Sequence, residues 1–177
     1  FTPLPDGRYL MLGPDKEFNQ REIAKFSEHD AEKYPKYEKD LDKIAEFISM
    51  TLTMTPPHLV PRNLSDFKKW LKMSFGFAKM GPRLWTRFTR LMLGDARDLL
   101  DSWFETDVLK ATLLTDSVIG ATQLNGYVLL HHVMGEAGGT RGVWGYQRGG
   151  MGGLTNALRL AAEDLGVKIY LDDQVNR

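Results

Sequence analysis

The chain contains no cysteine. Structural disulfides, thiolate metal sites and a redox-active cysteine pair are therefore excluded from its 177 residues. It has no excess of charge of either sign: 23 Lys and Arg stand against 23 Asp and Glu, so global charge argues neither for nor against nucleic acid as a partner. No apolar run approaches the ~18 residues that a membrane-spanning helix needs. At this length the chain can bury one respectable core, or one domain and part of another.

What is present reads as a mostly helical protein. Pro5-Asp6-Gly7 is turn chemistry between two short strand-like pieces, Phe1 to Leu4 and Arg8 to Leu12. Asp15 is placed to cap a helix running to Phe26. Ser27-Glu28-His29-Asp30 resembles a capping box with Asp in place of Glu or Gln. The helix that follows carries Tyr34, Tyr37, Leu41, Ile44 and Ile48 on one face, and Pro35 is expected to kink it or to set its true start. The charges between these positions read as a solvated face. Thr55-Pro56-Pro57-His58 and Pro61 form a break, with His58 expected to be exposed and without a partner.

Residues 62–93 are different in character. Arg62, Lys68, Lys69, Lys72, Lys79, Arg83, Arg87 and Arg90 stand against a single acid, Asp66, and between them lie apolar residues that include Phe67, Trp70, Phe75, Phe77, Trp85 and Phe88. Gly81-Pro82 divides the stretch into two helices. Two readings stand. The aromatics build a helical core while the bases stay in water, or the pair lies on an anionic membrane surface, each nearby base contributing ~1 kcal/mol. No recognised nucleic-acid module accompanies the bases. Gly94-Asp95 opens a further helix to Glu105. Thr106-Asp107 caps another reaching Ala121, with Asp116 inside it, either hydrogen-bonded to a neighbouring helix or facing a pocket. Gly126 to Gly135 is a last apolar helix in this part of the chain. It carries His131 and His132, one expected in a buried hydrogen bond and the other exposed. His132 and Glu136 lie one turn apart, too few ligands for a metal site, so none is expected.

The final stretch reads strand (Val143 to Gln147), glycine turn, helix, strand (Val167 to Leu171). Leu154, Leu158, Ala161 and Leu165 form one apolar stripe, and Gly166 suits a helix C-terminus. Gly150-Met151-Gly152-Gly153-Leu154-Thr155, with Asp172 and Asp173 beyond, approximates a dinucleotide fingerprint. Thr155 is too bulky for its third small position. A small nucleotide-binding unit on residues 150–155 is thus one candidate reading, and close packing of a helix start is the other.

Gly149-Gly150-Met151-Gly152-Gly153-Leu154-x-x-Ala157-Leu158, followed by Gly166-Val167-x-Ile169 and Val175, resembles the interior helix–strand element of phytoene dehydrogenase-like FAD-dependent oxidoreductases. Gln20 to Ser27, Tyr34 to Glu38, Thr115 to Ala121 and Gly126 to Gly135 resemble one branch of that family in the same order. The resemblance implies an α+β, helix-dominated piece of a longer protein whose FAD fingerprint lies upstream. Residues 1–147 would be the substrate or cap region with a small mixed sheet. Residues 148–177 would be the helix–strand element that returns the chain to a Rossmann-like FAD-binding domain. It further implies FAD contacts at Gly149, Gly150 and Val175, and a substrate cavity lined by Trp144, Tyr146, His131 and His132. The implied partners are a small lipophilic substrate, the rest of the FAD-binding domain and a membrane surface, with no nucleic acid. The implied location is the mitochondrial matrix in a eukaryote and the cytoplasm in a bacterium. No residue is expected to be an obligatory catalytic acid or base.

Overall fold

The computed structural model describes residues 1–120, 124–143 and 145–174. Helices dominate an α+β arrangement whose strands, among the described residues, form two separate antiparallel pairs rather than one small mixed sheet. The chain divides into two compact units, Phe1–Val143 and Trp144–Arg177.

The first unit opens with a hairpin, β1 (Thr2–Pro3) against β2 (Tyr9–Leu10). Its turn closes through the Gly7 N–H on the Leu4 carbonyl at 3.1 Å, with Gly7 at φ 85°, a conformation that favours glycine. Asp15 caps α1 (Lys16–Ala24), accepting from the N–H groups of Glu17 and Phe18 at 3.0 Å. The long helix α2 (Glu28–Leu52) then carries its apolar face inward, burying Tyr34, Tyr37, Leu41, Ile44 and Ile48. Pro35 neither starts nor divides this helix. It lies inside a continuous span near the N-terminal end, where it removes one backbone hydrogen bond.

Asn63 caps α3 (Leu64–Leu93), which is two helices meeting at Gly81 (φ 71°, ψ 166°), immediately before Pro82. Beyond the kink, Leu84 and Leu91 are buried, and Phe88 packs edge-on to Phe47 of α2 with ring centres 5.9 Å apart. Phe77 sits between Phe47 (4.5 Å) and Trp85 (4.1 Å, stacked). Such pairs add about 0.5–1.5 kcal/mol beyond the area they bury. The core reading of the aromatics thus holds for Phe77 and Phe88, which pack partly buried against the core, while Trp85 stacks on Phe77. The core reading fails for Phe67 and Phe75, which are 55% and 69% exposed.

Three shorter helices complete this unit: α4 (Ala96–Asp101), α5 (Asp107–Leu114) running into a 3-10 turn (Thr115–Ser117), and α6 (Gly126–Met134). Leu100, Leu109 and Leu130 are fully buried. Gly126 lets α6 begin against α3: a Cβ there would lie 2.3 Å from the Leu91 carbonyl oxygen. A second hairpin, β3 (Glu136–Ala137) with β4 (Thr140–Arg141), turns on Gly138 and Gly139, both at positive φ as a type I′ turn requires.

The second unit is built on α7 (Gly150–Asp164). Its C-terminus closes with Gly166 at φ 82°, the Gly166 N–H on the Glu163 carbonyl and the Val167 N–H on the Ala162 carbonyl, a Schellman motif. The strands expected on either side do not form: 145–147 and 167–170 are irregular. A strand needs a paired neighbour, and none is provided within 145–174. No residue of α7 is buried, and Leu158, Leu165 and Leu171 are 65%, 85% and 81% exposed.

Candidate functional site

The most chemically loaded cavity of the first unit, about 220 Å3, lies between α2, the 3-10 turn after α5, α6 and the second hairpin. Tyr34, Tyr37 and Glu38 of α2 line it together with Asp116 and Leu129. Helical spacing explains the grouping. Glu38 follows Tyr34 by four residues and precedes Leu41 by three, so this half-buried acid rides on the apolar face and not among the solvated charges. Asp116 is not inside a regular helix, as the sequence suggests; it occupies the middle of the 3-10 turn Thr115–Ser117.

Burial sets the electrostatics. It raises the Asp116 carboxyl above its ordinary value, partly opposed by the nearby His132. It raises Glu38 too, against the pull of Lys16 and the Tyr34 hydroxyl. Tyr34 and Tyr37 are both pushed up, chiefly by burial, then by Glu38 at Tyr34 and by the neighbouring Tyr34 and the acids at Tyr37, which keeps them as neutral phenols. The cavity therefore offers two carboxyls that hold their protons to higher pH than usual and two phenolic donors, against an apolar wall. Such a set can bind and orient a polar group, or hold a proton next to one.

Of the other candidates, His131 and His132 belong to the first unit and Tyr146, Gly149 and Gly150 to the second. His132 is half-buried and lies in the field of Asp116, while His131 is exposed with its ring 6.1 Å from that of Tyr127. Tyr146 is 88% exposed in its own unit. Trp144 and Val175 lie outside the described residues. Gly149 (φ 84°) and Gly150 (φ 66°) form the turn into α7, and a Cβ on Gly150 would meet nothing within 4 Å. The N–H groups of Met151 and Gly152 find no acceptor among the described residues, so the start of this helix presents free donors. The nucleotide fingerprint is not built, because its flanking strands are missing and Thr155, exposed, donates its hydroxyl to the Met151 carbonyl.

Three further expectations are corrected. His58 is exposed but not alone: its Nδ1 lies 2.9 Å from the buried Asp66 carboxylate, and its carbonyl accepts from the Trp70 indole. Asp30 does not complete a capping box with Ser27. The Ser27 hydroxyl accepts from the Asp30 N–H, but the Asp30 carboxylate turns away to residues 105 and 106. Thr106 in turn supplies no side-chain cap to α5. Asp30 also gathers with His29 and Glu105 in the one metal-like cluster among the described residues. Its oxygens are already used by the Glu105 N–H and the Thr106 N–H and hydroxyl, with the His29 ring nitrogen at 3.2 Å as well, which makes the cluster a structural junction.

The chain is similar to two mammalian proteins over nearly its whole length. They are the pyridine nucleotide-disulfide oxidoreductase domain-containing protein 2 of Rattus norvegicus (36% identical over 197 aligned positions) and of Mus musculus (37%). Each alignment covers 99% of this chain, which spans about a third of the length of these relatives (33%). No protein-family model matches the chain, and no solved structure matches it. The disulfide chemistry in the relatives' name has no cysteine here to perform it.

Proposed function

We propose that this chain is the substrate-side portion, with the return element, of an FAD-dependent oxidoreductase of the phytoene dehydrogenase-like kind. The observation that carries the reading is the unburied apolar stripe of α7, continued by Val167, Ile169 and Leu171. A helix with such a stripe is completed by a layer from elsewhere, and the relatives are about three times as long as the matched segment.

The residues present fit a flavin nucleotide at one place. The Gly149-Gly150 turn is free of Cβ atoms, and the Met151 and Gly152 N–H groups at the start of α7 are suited to an anionic phosphate. Val175 is proposed to lie against the adenine end. When bound, FAD supplies the redox chemistry, accepting a hydride from a C–H bond. The chain's own residues bind and orient. Tyr34, Tyr37, Glu38 and Asp116 fix the polar end of an otherwise lipophilic substrate, and Leu41, Leu113 and Leu129 exclude water around it. Trp144, Tyr146, His131 and His132 are proposed as substrate-contacting residues, and the complete protein is proposed to work in the mitochondrial matrix of a eukaryote or the cytoplasm of a bacterium. The test is the visible absorption spectrum of the purified full-length protein: a bound flavin is expected, and a colourless folded protein would overturn the proposal.

A second reading rests on a different observation. Leu64, Phe67, Leu71 and Phe75 form an exposed stripe on the first half of α3, beside Lys68, Lys69 and Lys72, and Leu59 and Val60 precede it at 91% and 76% exposure. This is the form of a helix that lies in a membrane interface. No described helix is long and apolar enough to cross a membrane, so the contact would be with the surface.

A further inference from the structure

The basic residues of α2 and of the second half of α3 meet across one cleft. On α2, Lys33, Lys36, Lys39 and Lys43 recur every three or four residues and so share a face. On α3, beyond the kink at Gly81, Arg83, Arg87 and Arg90 do the same. These faces rim a cleft of about 730 Å3 whose apolar lining includes Met80, Leu84, Leu99 and Trp103. One acid, Asp40, lines it, and it is taken by an ion pair with Arg87, whose guanidinium also lies over the Trp103 ring at 4.2 Å. The other six cations make no ion pair among the described residues.

Charge balance makes this arrangement informative. The chain as a whole is neutral, yet six unpaired cations face a single recess. Like charges collected across a cleft repel one another, and an apolar floor strengthens that field. A multivalent anion in the cleft relieves the repulsion. Lys39 and Lys43 also border a shallow depression holding Asp42 and Glu46, whereas Lys33, Lys36, Arg83 and Arg90 do not. The anion site is therefore centred on these last four. Guanidinium forks match phosphate oxygens in pairs, and lysines add point charge. The volume falls within the ~300–1,000 Å3 usual for a small-molecule site. We propose that this cleft binds a ligand bearing two or more phosphate groups, either a free polyphosphate compound or the phosphorylated headgroup of a lipid.

The test uses full-length protein and inorganic tripolyphosphate, with binding followed by calorimetry at fixed ionic strength. Arg83 and Arg90 are both exposed, so Arg83→Gln with Arg90→Gln should leave the fold intact. This pair is expected to weaken tripolyphosphate about tenfold or more. Lys68→Gln with Lys72→Gln removes equal charge from α3 outside the cleft and is expected to change binding less than twofold. Vesicles containing a phosphoinositide then identify the source. Protein retained on them and released by tripolyphosphate indicates a lipid headgroup, and tripolyphosphate binding without retention indicates a soluble ligand. Equal losses in both variants, or no tripolyphosphate binding by the unsubstituted protein, would overturn the proposal.

Discussion

The carboxylate of Asp30 in α2 accepts three hydrogen bonds from the segment entering α5: the Thr106 hydroxyl at 2.6 Å, the Thr106 N–H at 2.9 Å and the Glu105 N–H at 2.9 Å. Asp30 is fully buried and anionic, and burial alone would raise its pKa. The Thr106 hydroxyl, the two N–H groups and His29 together outweigh that effect and hold it below its ordinary 3.8. One side chain thus joins helices that lie about 75 residues apart in sequence.

Asp30→Ala is expected to destabilise the first unit by about 3 kcal/mol, since it strands buried donors and removes charge-assisted bonds. Thr106→Val, which keeps the backbone donor, should cost about 1 kcal/mol. Chemical denaturation of both variants and their combination gives the coupling. The pH dependence follows from the sign of the shift. A carboxyl with a depressed pKa contributes stability that is full above its unfolded value near 3.8 and is lost as pH falls through the lower folded value. The wild type should therefore lose stability below pH 3.8 more steeply than Asp30→Asn.

Asp116 has the opposite sign. Its folded pKa lies above 3.8, so the folded protein binds a proton more tightly than the unfolded chain, and stability falls as pH rises through the window above 3.8. Asp116→Asn is expected to flatten that fall and to raise Tm at pH 7. Thermal melts from pH 3 to 8 check it, and a lower Tm at pH 7 would show that the carboxylate is favourably paired.

The glycines at helix contacts should differ in tolerance. Gly126→Ala forces a Cβ to 2.3 Å from the Leu91 carbonyl oxygen, part of the backbone of α3, and should cost about 1–3 kcal/mol. Gly76→Ala meets the Phe47 ring at 2.9 Å and the end of Met50 at 3.3 Å, side chains with some freedom to move, and should cost less. Denaturant midpoints of the two variants rank them.

If α3 docks on an anionic bilayer, replacing Lys68, Lys69 and Lys72 by Glu should abolish vesicle binding, and raising salt should weaken it in the unsubstituted protein. Vesicle co-sedimentation reads both. Unchanged binding in the triple variant would remove the membrane reading.

Periodicity made the frame legible. The five apolar residues spaced along α2, the caps at Asp15 and Ser27, the kink at Gly81-Pro82 and the Schellman glycine at 166 are local signals, and local physics decides them. What sequence reasoning missed depends on distant partners. Asp30 looks like half of a capping box until Thr106 is beside it, and His58 looks solitary until Asp66 closes on it. Glu38 could have been found, because its spacing from Tyr34 and Leu41 places it on the buried face. The described residues on either side of α7 are irregular because β-prone residues form a strand only where a neighbour accepts their hydrogen bonds, and residues 145–174 provide none.

The most direct test is the flavin stoichiometry of the full-length protein with Gly149 and Gly150 both replaced by valine. Both glycines have positive φ, so valine is strained at either, and its side chain would crowd the turn where the cofactor phosphate is proposed to approach. Most of the bound flavin is expected to be lost while the helical circular dichroism signal is kept. Flavin retained at the unsubstituted ratio would contradict the assignment of this turn to the cofactor.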